Sequence, residues 1–210
     1  MACEVNGLER SEPTRGLTSG DLARALGVDL KTIHNWVQRG HLCGRRTAGR
    51  HLRFHRTEAV RFMRRFGYEG SALLGGAPPR VVSVGISGAG ERGSSWRAAF
   101  RGFEVDWCQT LSAAALHVAL GEHEVLLVHL GRVTGPAALE FVDAVRRYSR
   151  TCGMAIIGVG GSAAARAAFL EAGADAAARD ERAARAMVKW TIGGAALPRE
   201  ATTRLAAAER

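Results

Sequence analysis

The chain has 210 residues, a net charge of +9 and a hydrophobic content of 47%. This length allows one large domain or two small ones. No apolar run approaches the roughly 20 residues of a membrane helix, and the N-terminal segment lacks the apolar stretch of a secretory signal. We therefore expect a cytoplasmic protein with no membrane partner.

The four cysteines, Cys3, Cys43, Cys108 and Cys152, are far apart and form no C-x-x-C pair. Such spacing predicts neither a zinc site nor a disulfide framework. We expect Cys108 and Cys152 to be small core residues in a reducing compartment. The sequence thus predicts no metal and no cofactor.

Composition divides the chain into five expected segments. They are a disordered tail (1–16), a basic module (17–68), a glycine- and proline-rich linker (69–79), an α/β domain (80–195) and a C-terminal tail (196–210) that forms a frayed helix after Pro198. The first 79 residues carry a net +6 and the remainder +3. This asymmetry indicates a polyanionic partner for the N-terminal third.

Two short helices open the basic module. Thr18 or Ser19 can cap the first helix, and Gly27 can end it in a left-handed conformation. Asp29 can cap a second helix, whose apolar residues include Trp36 as a core side chain. The short turn between them is typical of a helix-turn-helix. The residues expected to reach DNA bases from the second helix are Lys31, Thr32, His34 and Asn35.

An arginine-rich hairpin follows, with the sequence RRTAGRHLRF from Arg45 to Phe54. Gly49 can supply the positive φ of its turn. We expect the hairpin to contact DNA phosphates or the minor groove. Its predicted DNA-binding residues are Arg45, Arg46, Arg50, His51 and Arg53. Thr57 is then expected to cap a third helix.

This module resembles the winged helix-turn-helix of the MerR and excisionase families. The resemblance rests on matches to the opening, recognition-helix and wing motifs, at Thr18, Gly20, Asp21, Leu22, Ala23, Gly27, Val28, Thr32, Ile33, Trp36, Thr47, Gly49, His51, Arg53 and Phe54. Ala48 stands at the usual proline of the wing, and Arg50 at its second glycine. The resemblance implies a DNA-binding domain of the α+β class.

The segment 80–195 alternates short apolar runs with helical patterns. Expected strands begin near Val81, Phe103, Val125, Met154 and Asp175. Helical patterns fall at 93–101, 111–121, 136–150, 162–172 and 181–193. Continuous apolar strands are typical of a parallel sheet covered on both faces. The pattern predicts a doubly wound α/β fold of the flavodoxin or receiver type.

The same segment resembles response-regulator receiver domains. The runs GFEVDWCQTLSAAALHVALGEHEVLLVHLG and IIGVGG…FLEAGADAAARDE follow the receiver order of strands and helices. In place of the receiver's metal-binding and phosphotransfer groups stand Ser87, Gly88, Ala89, His129, Gly160 and Asp180. His129 takes the phosphoacceptor position, and we expect it to be hydrogen-bonded to a loop. The resemblance implies a degenerate receiver that does not use aspartyl phosphorylation.

A glycine motif offers a different hypothesis. Gly88-Ala89-Gly90-Glu91-Arg92-Gly93 fits G-x-G-x-x-G after a strand, and Glu104 and Asp106 follow near the distance of a ribose-binding acid. A dinucleotide-binding sensor or small enzyme is therefore a third interpretation. However, the helix between Gly93 and Gly102 is short, and no second domain is available to hold a substrate.

The leading expectation is a bacterial transcriptional regulator, not an enzyme, that binds double-stranded DNA in the nucleoid. Its receiver-like domain would serve homodimerisation, a protein signalling partner or signal input. The candidate dimer surface is the last helix, with Ala184, Met187, Val188 and Trp190; the alternative is that this helix packs on the sheet. The main alternative is an excisionase-like or nucleoid-architectural factor that bends DNA without controlling one promoter.

Overall fold

The computed structural model describes residues 16–68, 78–86, 90–120, 123–133, 135–148, 151, 153–193 and 202–203. Between residues 16 and 68 it contains three helices and three short strands. The helices are α1 (Ser19–Leu26), α2 (Leu30–Gln38) and α3 (Arg56–Phe66), and the strands are β1 (Leu17–Thr18), β2 (Arg45–Arg46) and β3 (Leu52–Phe54). Strand β3 is central and pairs antiparallel with both β1 and β2.

The later part of the chain forms one sheet with helices on both faces. Its strands are β4 (Arg80–Val84), β5 (Glu104–Cys108), β6 (Val125–His129), β7 (Ala155–Val159), β8 (Ala176–Ala178) and β9 (Thr202–Thr203). Its helices are α4 (Gly90–Ala99), α5 (Leu111–Leu120), α6 (Pro136–Arg147), α7 (Ala163–Glu171) and α8 (Glu181–Thr191).

The strand order is β5-β4-β6-β7-β8-β9, and the first five strands are parallel. This is the 2-1-3-4-5 order of flavodoxin- and receiver-like folds. The predicted fold class is confirmed. The C-terminal tail differs from expectation at Thr202 and Thr203, which form an antiparallel edge strand on β8 and not a frayed helix.

Successive strand residues point to opposite faces, so the continuous apolar runs fill two cores. Val81 and Leu127 pack against α4 and α8 on one face. Val82 and Leu126 pack against α5, α6 and α7 on the other. The predicted dimer surface on α8 is wrong, because Ala184, Met187 and Val188 are buried against the first face and Trp190 is also buried.

The cysteines differ from expectation at one position. Cys43 is disulfide-bonded, whereas no disulfide was predicted. Cys108 is buried at the end of β5 as predicted. Cys152 lies outside the described part of the chain.

Helix α3 joins the winged region to the sheet. Its residues Phe62 and Met63 belong to the core of the winged region. The opposite side of α3 contacts the residues just before β6, β7 and β8, at the amino edge of the parallel strands. Thr57 does not cap the helix as predicted: His55 stands at the N-cap, and the Thr57 hydroxyl donates to the Gly153 carbonyl at 2.5 Å.

Charged contacts reinforce this junction. The Arg61 guanidinium lies 2.5 Å from the Glu58 carboxylate and 3.1 Å from that of Asp175. Asp175 also pairs with Arg146 and accepts a hydrogen bond from the Ile156 amide at 2.7 Å. Burial alone would raise the pKa of Asp175, but the two arginines hold it below its usual value. The carboxylate is therefore ionised at the junction.

Candidate nucleic-acid interface

The ends of α1 and α2 are fixed by their caps. Thr18 and Asp21 form a reciprocal capping box, in which each backbone amide donates to the other side chain at 3.0 Å. Gly27 ends α1 at φ 65° as predicted. Asp29 caps α2 and accepts from the Thr32 amide at 2.7 Å. Hydrogen bonds from Thr32 lower the pKa of Asp29, so the cap carries a negative charge at neutral pH.

Helix α2 divides into a packed side and an exposed side. Ile33 is fully buried, and the Trp36 ring lies 4.7 Å from that of Phe62 and 5.7 Å from that of Tyr68. Trp36 thus contacts the core, in keeping with its predicted role. The exposed side presents Lys31, His34 and Asn35 to solvent. Thr32 is half-buried, and both its amide and its side chain bind the Asp29 cap.

The wing turn differs from the prediction in one residue. The amide of Arg50 donates to the Thr47 carbonyl at 2.8 Å and closes the turn. Arg50 has φ 61°, whereas Gly49 is not in the left-handed region. A residue other than glycine in the left-handed region costs about 1 kcal/mol, and here that residue is the positively charged Arg50.

The hairpin concentrates positive charge. Arg45 and Arg53 face each other across β2 and β3, a pairing that destabilises an isolated sheet because the charges are alike. The guanidinium of Arg46 donates to the Arg50 carbonyl at 3.1 Å, and that of Arg53 to the Leu52 carbonyl at 3.0 Å. These bonds hold the side chains along the wing.

A groove of about 500 Å³ lies between the start of α1, helix α2 and the wing. It brings together five predicted DNA-binding residues: His34, Arg46, Arg50, His51 and Arg53. Four others, Lys31, Thr32, Asn35 and Arg45, do not line it. Thr18, Ser19, Leu30 and Gln38 do, and sequence reasoning missed them because their role depends on where the wing lies. None of the described residues lining the groove is acidic.

The carboxyl edge of the large sheet holds a second concavity of about 290 Å³. It is lined by Trp96 of α4 and by residues at or after the ends of β6, β7 and β8: His129, Gly131, Arg132, Val159, Gly160, Gly161, Arg179, Asp180 and Glu181. His129 ends β6 and is 4% exposed. Its Nε2 lies 3.0 Å from the Ser83 hydroxyl on β4, so its partner is a neighbouring strand and not the predicted loop.

The environment of His129 keeps it neutral. Burial lowers its pKa to about 4, and the Trp96 ring meets it edge-on at 4.4 Å. Gly160 occupies the strand-four position with φ 74°, and Asp180 caps α8 by accepting from the Ala183 amide at 2.8 Å. Ser87, Gly88 and Ala89 lie outside the described residues, but none of them has a carboxylate for Mg²⁺.

The two acids considered for ribose binding are occupied elsewhere. Glu104 is the first residue of β5, so it lies at the amino edge, where the Arg80 guanidinium is 3.5 Å away. Asp106 is at the middle of β5 and contacts His123 at 2.5 Å. Dinucleotide sites in such folds lie beyond the carboxyl ends of the strands.

Residues 17–66 match the family described as a helix-turn-helix domain. Among proteins of curated function, none matches this chain. No described helix has both the length and the apolar character to cross a bilayer.

Several solved structures are similar to the α/β part of the chain. A putative response regulator from Chloroflexus aurantiacus is 18% identical, with a TM-score of 0.47, over 55% of this chain and 98% of its own. A LuxR family DNA-binding response regulator from Silicibacter pomeroyi is 23% identical, with a TM-score of 0.43, over 58% and 98%. An orphan response regulator of H. pylori is 16% identical, with a TM-score of 0.43, over 54% and 96%. The assignment of a receiver-like strand order depends on the strand pairing described above and not on these similarities. The chain joins a helix-turn-helix domain to a receiver-like α/β region.

Proposed function

We propose that this protein is a sequence-specific DNA-binding transcriptional regulator whose receiver-like region works without aspartyl phosphorylation. The observation that carries the proposal is the acid-free groove between α2 and the wing, which four cationic or titratable wing residues line. In this proposal 17–68 is the DNA-binding domain, 69–79 a linker and 80–195 the receiver-like domain. The protein acts in the cytoplasm, at the nucleoid.

Helix α2 would enter the major groove, and the wing would follow the adjacent backbone. Lys31, His34 and Asn35 are the exposed side chains that could meet base edges, and Asn35 suits bidentate contact with adenine. The wing arginines Arg46 and Arg53 would bind phosphates, which also relieves the repulsion between Arg45 and Arg53. In this arrangement Thr32 positions α2 through the Asp29 cap.

Binding by the full-length chain tests this arrangement. If about six phosphates are contacted, log affinity falls with log salt concentration at a slope near −5. Arg53→Ala should weaken binding to all sequences alike, whereas Asn35→Ala should relax one base preference by roughly 1–3 kcal/mol. Arg147→Ala, which removes an exposed arginine from α6, is the matched control and should leave affinity unchanged. A slope near zero, or an unaltered base preference for Asn35→Ala, contradicts the proposal.

The receiver-like region is proposed to act by contact or by ligand. His129 at the acceptor position is buried, neutral and bonded to Ser83, and the sequence offers no carboxylate at residues 87–89. Incubation with acetyl phosphate and Mg²⁺ should therefore give no mass increase of about 80 Da. A stable phospho-adduct on the folded protein would contradict this part of the proposal.

Homodimerisation also belongs to the proposal, because one winged domain buries little DNA surface. Helix α8 is excluded as the contact, so another surface must serve. Helix α5 has Leu116 and Leu120 one turn apart, with exposures of 63% and 80%. Light scattering of the full chain should give a dimer mass, and Leu120→Glu should shift it toward the monomer while Glu140→Gln on α6 should not.

An excisionase-like architectural role remains the second candidate, since phosphate binding by the wing fits this role as well as it fits regulation of a promoter. Genome-wide occupancy separates the two. A few promoter-proximal peaks support a regulator, whereas broad AT-rich coverage supports the architectural role.

A further inference from the structure

We propose that Asp106, His117 and His123 form a binding site for a first-row transition-metal dication, Zn²⁺ foremost. The three residues lie on different elements: Asp106 on edge strand β5, His117 on α5 and His123 directly before β6. Each offers one ligand atom, and these atoms all lie within 4.8 Å of one another. This inference is independent of the proposed DNA-binding function.

The separations suit tetrahedral coordination. Ligands about 2.0–2.1 Å from Zn²⁺ lie roughly 3.3 Å from each other. His117 Nδ1 is 3.4 Å from Asp106 Oδ2, which already matches that spacing. His123 Nε2 is 2.5 Å from the same oxygen, a hydrogen-bond distance that must widen by less than about 1 Å to admit the ion. Three protein ligands leave a fourth position for water or another donor.

The buried state of His123 is the second observation. Its side chain is 1% exposed, and within the described part of the chain its Nδ1 has no hydrogen-bond partner. A buried imidazole usually has both nitrogens satisfied. Asp106 therefore provides the one described polar contact of this ring. A metal ion on Nε2 would replace this hydrogen bond as the polar contact of the buried ring.

The chemistry of the ligands selects the metal. Two imidazoles and one carboxylate suit Zn²⁺ and its first-row neighbours, whereas Mg²⁺ and Ca²⁺ prefer oxygen ligands throughout. Arg80 opposes binding, because its guanidinium is 3.8 Å from Asp106 Oδ2. The Arg80 guanidinium also pairs with Glu104 at 3.5 Å, so it can move away from Asp106 when the ion binds.

Titration of the full-length chain, freed of any purification tag and of bound metal by chelator, tests the site. Zn²⁺ alone should bind with one-to-one stoichiometry by calorimetry, and Mg²⁺ should not bind. Co²⁺ should give the absorption spectrum of a tetrahedral ion. Saturable binding at one equivalent supports the proposal, and its absence at micromolar concentration overturns it.

Variants locate the metal. His117 is half-exposed on α5, so His117→Ala should fold normally and weaken Zn²⁺ binding by at least about tenfold. Arg80→Gln should bind Zn²⁺ at least as tightly as the parent chain, because it removes a competing charge. His34→Ala, which alters an exposed histidine of the winged region, should not change the affinity. Equal weakening by His34→Ala, or none by His117→Ala, would overturn the assignment.

Discussion

The two edges of the parallel sheet are built differently. The amino edge, before β6, β7 and β8, makes two ion pairs and a hydrogen bond with α3 of the winged region. The carboxyl edge, where receiver chemistry would be expected, holds a neutral buried histidine against a tryptophan. The orientation of the winged region therefore depends on the amino edge, whereas the carboxyl edge has a neutral histidine where a receiver has its phosphoacceptor.

The largest expected effect comes from breaking the amino edge. Asp175→Ala would leave Arg61 and Arg146 facing each other without their shared carboxylate, at a cost of about 3–5 kcal/mol in the free energy of unfolding. Urea denaturation of the full chain measures it. Asp143→Ala removes an acid from an exposed pair with Arg147 and should cost below about 0.5 kcal/mol. Similar costs for the two variants would show that the junction is not held by its charges.

The buried histidine at the carboxyl edge should make the stability of the protein depend on pH. The pKa of His129 is about 4 in the folded state and 6.5 in the unfolded state. Between these two pH values the unfolded chain binds a proton at this side chain and the folded chain does not. Stability should therefore fall by about 3 kcal/mol as pH drops from 6.5 to 4. The depressed pKa of Asp175 acts in a lower window, below about pH 4.

Comparison with His129→Gln isolates this contribution. Glutamine can keep a hydrogen bond to Ser83 but does not titrate, so its stability should change far less between pH 6.5 and 4. Glu124, whose pKa is raised by burial despite Arg56, contributes an opposite trend that is common to both proteins and cancels in the difference. Parallel pH profiles for parent and variant would contradict a buried neutral His129.

A third change tests how closely α3 approaches the sheet. A methyl group on Gly153 would lie 2.9 Å from Cβ of Glu58 and 3.2 Å from Cβ of His55. Gly153→Ala should therefore push α3 away and cost about 1–3 kcal/mol. Hydrogen exchange should quicken in α3, with little change in α5. Gly131→Ala at the carboxyl edge, where nothing lies within 4 Å, is the control and should be neutral within about 0.5 kcal/mol.

The sequence predicted elements whose signal is local. The runs at β4, β6 and β7 are largely apolar, and the caps at Thr18, Gly27 and Asp29 act within three or four residues. Glycine favours the left-handed region, which predicts Gly49 as the left-handed residue of the wing, yet the hydrogen bond to Thr47 places Arg50 there. Helix existence was therefore easier to predict than turn geometry.

What failed depends on contacts distant in sequence. Thr57 looks like a cap, but its hydroxyl partner, Gly153, is 96 residues away. The apolar side of α8 is equally suited to a dimer or to the sheet, and its packing on β7 and β8 decides between them. Asp106, His117 and His123 have no recognisable spacing, because a strand, a helix and a loop bring them together. The place of Leu30 and Gln38 in the groove likewise could not be predicted without knowing where the wing lies.

The smallest expected effect concerns the last contact of α3 with the α/β region. The Arg64 guanidinium donates to the Trp190 carbonyl at 2.6 Å and lies 4.2 Å from the centre of the Trp190 ring. Arg64→Lys keeps the charge but replaces a planar fork by a compact, strongly hydrated ammonium, so stacking and the directed bond weaken together. We expect a loss of about 1 kcal/mol in stability. Arg65→Lys, one residue further along α3 and exposed, should cost less than half of that. The two variants share chemistry and helix propensity, and the Arg65 guanidinium lies 5.3 Å from the centre of the Phe66 ring, so an excess loss for Arg64→Lys by thermal denaturation reports the contact with Trp190. Equal losses would mean that α3 is held by its ion pairs without help from Trp190.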